Sequence, residues 1–193
     1  MEYIMTTLKI YKTHPEVQLP KFATKQSACF DISYQAWGKG TYTGYNNVNA
    51  NFERRIGAGD EGVITITPGD RVMIPTGLIL DIPEGYSVRL HPRSGLSLRH
   101  AVILANCEAV IDSDYFEELF LLIQNNSSVS VNIHHGERLA QAELVKDERY
   151  TIEETLVQPT QRTDRTGGLG STGLNIVEDN PVKRGRGRPK KVA

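Results

Sequence analysis

Proline–glycine turn signals divide this chain into short β-type runs, and that punctuation limits its fold more than any other feature. Pro68-Gly69-Asp70 and Pro83-Glu84-Gly85 each separate two such runs. In both, proline presets φ and glycine relieves the steric cost of the reversal. The runs at 8–11, 62–67, 71–74, 78–82, 86–90 and 129–133 are β-branched or alternating. Residues 118–123 form a nearly continuous apolar run, which predicts a strand buried on both faces. Many short strands at this spacing predict an all-β fold, an antiparallel barrel or jelly roll. One short helical turn is predicted after Pro92, with Ser94 near its start.

The 193 residues suit one domain with a tail. The β-rich body is predicted over 1–157, with a stretch at 37–61 that is rich in Gly, Asn and Tyr and longer than a normal connection. A glycine-containing tail follows at 158–182, and a basic end at 183–193. The overall charge of −1 hides an asymmetry: six of the 22 Lys and Arg lie in 183–193. Residues 1–182 keep 16 bases against 23 acids, a net charge of −7. Cys29 and Cys107 show no metal-ligand spacing and read as buried thiols. No apolar run approaches the ~18 residues of a membrane span, and no signal-peptide pattern opens the sequence. A soluble cytoplasmic protein is expected, or a nuclear one if the host cell has a nucleus.

Five segments stand in a fixed order: ACFDI (28–32), PRSGLSLRH (92–100), AVIDSDY (109–115), GERLAQ (136–141) and GGLGSTG (167–173). Alone, each has a bland reading. Asp-Ser-Asp makes turns, Asn106 suits a turn, Tyr115 suits a sheet face, and a glycine-rich stretch suits a linker. In this order they resemble the trimeric dUTP pyrophosphatases (dUTPases), which split dUTP into dUMP and pyrophosphate. The resemblance covers roughly residues 5–173 and includes PTGLILDIPEGY (75–86). It implies a distorted jelly-roll barrel, a homotrimer with active sites shared between subunits, and Mg²⁺ as cofactor.

The residues suit that chemistry. Hydrolysis of a nucleoside triphosphate requires neutralised phosphate charge, an in-line water and a base for its proton. The resemblance makes Asp112 the base, following the apolar Val110 and Ile111, where a dry pocket is expected. It makes Tyr115 the ring that packs on deoxyribose and refuses a 2′-hydroxyl. Asn106, six residues before Asp112, corresponds to the residue that hydrogen-bonds uracil in a β-hairpin. Arg93, Ser94 and Gly95 combine a cation, a hydroxyl and backbone N–H groups at a helix start, a set suited to anions. By resemblance Ser94 and the Gly95 amide meet the phosphates, Gln141 holds the α-phosphate, and Arg93 orders the subunit interface. Arg138 reads as structural. Asp31 corresponds to the residue that steadies the hydration shell of a magnesium ion held mainly by the phosphates. Gly170 and Ser171 belong to the glycine loop, whose N–H and hydroxyl donors can close on polyphosphate. The resemblance makes that loop a lid.

Four departures from the family pattern stand out. Cys29 replaces a glycine, Phe116-Glu117 replaces Arg-Gly after the tyrosine, and Leu169 replaces the aromatic residue that stacks on uracil. Arg165 precedes the Gly-Gly pair by two residues instead of three. Weaker lid closure is expected from the last two. Trp37, Tyr42, Tyr45 and Phe52 in the stretch at 37–61 fit either a partner-binding surface or a floppy loop. The basic end contains Arg186-Gly187-Arg188-Pro189, the core of an AT-hook, which fits the narrow minor groove of A·T-rich DNA. A plain polybasic tail or nuclear import signal fits it as well.

The reading is therefore a dUTP diphosphatase that limits uracil in DNA and supplies dUMP for dTMP synthesis. A nucleotide-sensing or DNA-binding regulator on the same fold is the main alternative. A dCTP deaminase is less well supported, because Leu122 stands where that family has its water-activating glutamate.

Overall fold

The computed structural model describes residues 6–57, 62–160 and 162–164. The chain divides into a compact unit, Met1–Tyr150, and a second unit, Thr151–Ala193. The described residues of the second unit contain no helix or strand. The last strand of the first unit ends at Lys146.

Among the described residues, the body consists of short strands, all paired antiparallel, and one helix. The strands are β1 (Lys9–Lys12), β2 (Phe30–Ser33), β3 (Thr41–Tyr45), β4 (Asn51–Arg55), β5 (Ile64–Ile66), β6 (Arg71–Pro75) and β7 (Leu78–Asp81). After them come β8 (Tyr86–Pro92), α1 (Ser94–His100), β9 (Val102–Leu104), β10 (Ala109–Ile111), β11 (Phe120–Asn125), β12 (Val131–Ile133) and β13 (Arg138–Lys146). Two larger sheets carry the architecture, in the orders β10-β8-β13-β2 and β4-β3-β6-β11-β9. Two-stranded ribbons, β1-β7 and β12-β5, complete it. Apart from the β3–β4 hairpin, the paired strands are not consecutive in sequence, as expected of a jelly roll.

Period-2 alternation explains how both sheets share one core. Ile32, Val88, Leu90, Ala140 and Ala142 from the four-stranded sheet meet Tyr42, Val72, Ile74, Leu121 and Ile123 from the five-stranded one in a single apolar cluster. The turns use the anticipated chemistry. Asp70 N–H bonds Thr67 O and Tyr86 N–H bonds Pro83 O, with Gly69 and Gly85 at positive φ.

Two expectations are corrected here. β11 is buried on one face only: Leu121 and Ile123 point into the core, whereas Leu122 is 38% exposed. The run is apolar on both faces, but β11 is not covered on both sides in the protomer. The floppy-loop reading of 37–61 also gives way over its described residues, 37–57, which supply the β3–β4 hairpin that extends the five-stranded sheet. Tyr42 is buried and donates to Thr65 O at 2.8 Å, and Phe52 packs edge-on against Tyr42. Trp37 stacks on His14 and meets His135 edge-on. Gly44 is needed inside β3, since a Cβ there would lie 2.3 Å from Arg71 O.

The cysteines are not both buried: Cys107 is exposed and Cys29 is half-buried. Burial, then Glu143 and Asp31, pushes the Cys29 thiol up from its ordinary range. Among the described residues, no helix is long and apolar enough to cross a membrane.

Candidate functional site

Strand register brings three of the segments to one place. On β13, Gln141 lies opposite Asp31 of β2 on one side and His91 of β8 on the other. Cross-strand partners share a face, so all three side chains stand on the outer surface of the four-stranded sheet. Gln141 Nε2 donates to Pro92 O at 3.1 Å, which ties it to the entry of α1.

Arg93, extended at φ −88° and ψ 125°, is the N-cap residue of α1, and Ser94 and Gly95 are its first two residues. The first amides of a helix have no intrahelical acceptor, so those of Ser94 and Gly95 are available to an anion. Arg93 Nε lies 3.0 Å from Asp31 Oδ1, and its Nη1 donates to Arg138 O at 2.8 Å. Arg138 Nη1 donates to Asp31 Oδ2 at 2.8 Å. Two guanidiniums thus flank one carboxylate, leaving the cluster cationic. Arg138, read from the sequence as structural, contributes its charge to this cluster through the ion pair with Asp31. Clefts of about 260 Å³ and 400 Å³ lie beside it, and both are lined by Arg138. Asp31 lines the first and Arg93 the second.

Asp31 has about four lone-pair sites and gives one to each arginine. Each oxygen retains capacity to accept from a metal-bound water, whereas direct ligation would compete with two cations. The described residues contain no group of three His, Cys, Asp or Glu able to hold a metal. This donor set fits an ion carried by phosphate ligands and touched through water.

Asp112 follows β10 directly and is exposed. The anticipated dry pocket is therefore not formed by the protomer around this carboxylate. Val110, also exposed, shares the outer face with Asp112, whereas Ile111 packs against the core. A turn follows Asp112, with Tyr115 N–H bonded to Asp112 O at 3.2 Å. The Tyr115 ring is 39% exposed, and its hydroxyl donates to Glu118 O at 3.0 Å. Burial, then Glu117 and Glu118, raises the phenol above its ordinary range.

Asn106 is exposed in the connection between β9 and β10. That connection is not a hairpin of paired strands, because β9 pairs with β11 and β10 with β8. The chain crosses here from the five-stranded sheet to the four-stranded one. The spacing to Asp112 is as expected, but the backbone follows another path.

Asp112 and Gln141 do not meet within one protomer. Ile111 is opposite Val88 and Gln141 is opposite His91, with β8 between their strands. Asp112 therefore lies about four residues along and two strands across from Gln141, or about 16 Å at standard spacings. Side chains standing perpendicular to a sheet do not close that gap.

Sequence reasoning missed Arg89 and His91, which alternate outward along β8. His91 Nε2 is 3.1 Å from Glu143 Oε1, and its Nδ1 is 3.5 Å from Glu108 Oε1. Arg89 lies 3.7 Å from Asp147 and 4.0 Å from Glu108. The alternation of VRLHP was the available signal. Arg165, Leu169, Gly170 and Ser171 lie outside the described residues, as do Arg186, Gly187, Arg188 and Pro189.

The dUTPase family model matches residues 62–173, more than half of the chain. The chain belongs to the dUTPase family. A deoxyuridine 5′-triphosphate nucleotidohydrolase of Roseobacter denitrificans is 42% identical over 114 residues, covering 58% of this chain and 74% of the relative. One from Syntrophotalea carbinolica is 32% identical over 169 residues, covering 87% of this chain and 97% of that protein. The dUTPase of Staphylococcus bacteriophage 80alpha, solved with dUpNHpp as a mutant, shares the fold with a TM-score of 0.67 at 19% identity. That match covers 88% of this chain and 100% of the phage chain. A phage phi11 dUTPase mutant, described with a structural Mg(II) ion, has a TM-score of 0.60 at 18% identity, covering 79% of this chain and 98% of that one.

Proposed function

We propose that this dUTPase hydrolyses dUTP to dUMP and pyrophosphate as a homotrimer, at sites built from more than one protomer. The observation that carries the reading is the convergence of Asp31, Arg93, Gln141 and the start of α1 in a cationic cluster. That cluster suits a polyphosphate. The separation of about 16 Å from Asp112 supports sharing, because one chain does not present base and phosphate grip together.

In this reading Asp112 of one protomer accepts a proton from a water in line with the α-phosphorus. The water oxygen bonds to phosphorus, the bond to the bridging oxygen breaks, and pyrophosphate leaves. Gln141 and the amides of Ser94 and Gly95 hold phosphate oxygens, while Arg93 and Arg138 oppose their charge. Val110 and Ile111 border the base, and Asn106 reads the uracil edge. Tyr115 closes the space at C2′. A cytosine would leave buried polar groups unpaired, at a cost of ~1–3 kcal/mol each. Magnesium carried by the substrate phosphates would supply charge neutralisation, and Asp31 would orient water bound to it. Arg165, Gly170 and Ser171, outside the described residues, are proposed to supply donors to the polyphosphate, and Leu169 to meet the base.

A nucleotide panel tests it: dUTP, UTP, dCTP and dTTP with Mg²⁺, reading pyrophosphate. Preferential release from dUTP is expected. Binding of dUTP without pyrophosphate release would move the protein to the sensing alternative. The basic end is a separate proposal: loss of 183–193 lowers affinity for A·T-rich duplex and leaves hydrolysis intact. Gel shifts across a salt series test that.

A further inference from the structure

The β3–β4 insertion reaches toward Tyr115 through a single side chain. Lys39, just before β3, places Nζ 2.6 Å from Glu118 Oε2, with 32% and 12% of the two side chains exposed. The ammonium also lies 5.7 Å from the centre of the Phe120 ring. The second carboxylate oxygen, Oε1, accepts Gly77 N–H at 2.9 Å. The main-chain carbonyl of Glu118 in turn accepts the Tyr115 hydroxyl at 3.0 Å. Immediately beyond, Leu119 is locked to the core, its N–H on Leu78 O and its carbonyl on the Thr76 hydroxyl.

Glu118 is therefore a node. Its carboxylate is gripped by the insertion and by the 76–77 turn, and its backbone holds the far end of the tyrosine ring. Residues 114–117 are exposed and offer little packing to fix that ring. A ring that refuses one extra oxygen must be held to about 0.5 Å, which needs supporting contacts behind it.

We propose that Lys39 is a positioning residue for sugar selectivity, acting through Glu118 on the Tyr115 ring. The inference rests on the reading of Tyr115 as the ring that faces the sugar. Without the ammonium, the largely buried Glu118 carboxylate loses its counter-charge and turns toward water. The 115–118 segment then loosens, and a 2′-hydroxyl finds room. Lys39 is not among the residues proposed to hold base or phosphate, so turnover of dUTP is preserved.

Steady-state kinetics on the full chain, with dUTP and UTP, test this in the wild type, Lys39→Met, Lys39→Arg and Glu118→Gln. Lys39→Met and Glu118→Gln lower the dUTP-over-UTP ratio of kcat/KM by about tenfold, mainly through a lower KM for UTP. Their kcat for dUTP stays within about twofold of wild type, and Lys39→Arg keeps the wild-type ratio. Arg54→Met, which breaks the ion pair with the buried Asp70, serves as a control that lowers thermal stability without moving the ratio. An unchanged ratio in both Lys39→Met and Glu118→Gln overturns the proposal, as does an equal change in Arg54→Met. Tyr115→Ala separates the two levels. If it leaves the ratio intact, the sugar-facing reading fails; if it collapses the ratio and Lys39→Met does not, only the role of Lys39 falls.

Discussion

Asn125 ties the end of β11 to β5 and to the connection before β12 through one buried amide, and its replacement by alanine has a calculable cost. The residue is fully buried at the end of β11. Its Nδ2 donates to Ile66 O at 2.9 Å and Val129 O at 2.8 Å, while Oδ1 accepts Ser127 N–H at 2.9 Å and the Ser127 hydroxyl at 2.7 Å. Four bonds at ~1 kcal/mol net each give ~4 kcal/mol. Val129 and Ser127 lie near the surface, so water replaces part of that loss. The Ile66 carbonyl belongs to a fully buried residue, so water does not replace the donor it loses. The expected net loss is about 3 kcal/mol, or roughly 6–12 °C in melting temperature for a domain of this size. Asn125→Asp should cost more, because a buried carboxylate would face two carbonyl oxygens. Urea unfolding at one fixed protein concentration, which keeps any subunit linkage constant, measures both through the midpoint at unchanged slope. Gln18→Ala, an exposed control, should change stability by less than about 0.5 kcal/mol. A loss below about 1 kcal/mol for Asn125→Ala, or an aspartate that is tolerated, would refute this reasoning.

Two further substitutions follow from local geometry. Gly44→Ala should destabilise by ~2 kcal/mol or more, since the new methyl collides with Arg71 O and Phe52 and overpacks the β3–β6 pairing; urea unfolding measures it. Burial holds the His135 imidazole below its ordinary value of 6.5, and its Nδ1 accepts Ala36 N–H at 2.9 Å. The folded state therefore binds fewer protons there than the unfolded state. This contribution is complete above pH 6.5 and is lost as pH falls from 6.5 toward the lower folded value. His135→Asn keeps an acceptor without titrating and should flatten that part of the stability profile, read by melts at several pH values.

Turn chemistry made much of the barrel legible, because proline and glycine act locally. Strands flanking Pro68-Gly69 and Pro83-Glu84-Gly85 lie close to where their patterns put them. The β3–β4 hairpin was hidden by its own composition. Gly44 reads as a breaker, yet it is required by the approach of Arg71 O. Asn46 caps the connecting turn by accepting the N–H groups of Val48 and Ala50. The outward Leu122 was misread because hydrophobicity does not reveal whether a face is covered.

At the candidate site, the short segments identified which residues to consider. They did not reveal that Arg138 reaches Asp31 across 107 positions, nor that β9 and β10 belong to different sheets. Such contacts depend on long-range register, which local propensity does not encode. The exposure of Asp112 escaped for the same reason.

Subunit complementation tests the proposed sharing of the site most directly. Asp112→Asn and Gln141→Leu are prepared separately, each expected to be nearly inactive on dUTP, and then dissociated together and reassembled. If base and phosphate grip come from different protomers, random mixing restores about a quarter of the sites. Pyrophosphate release should rise accordingly. Mixed assemblies no more active than either parent would contradict a site divided between chains.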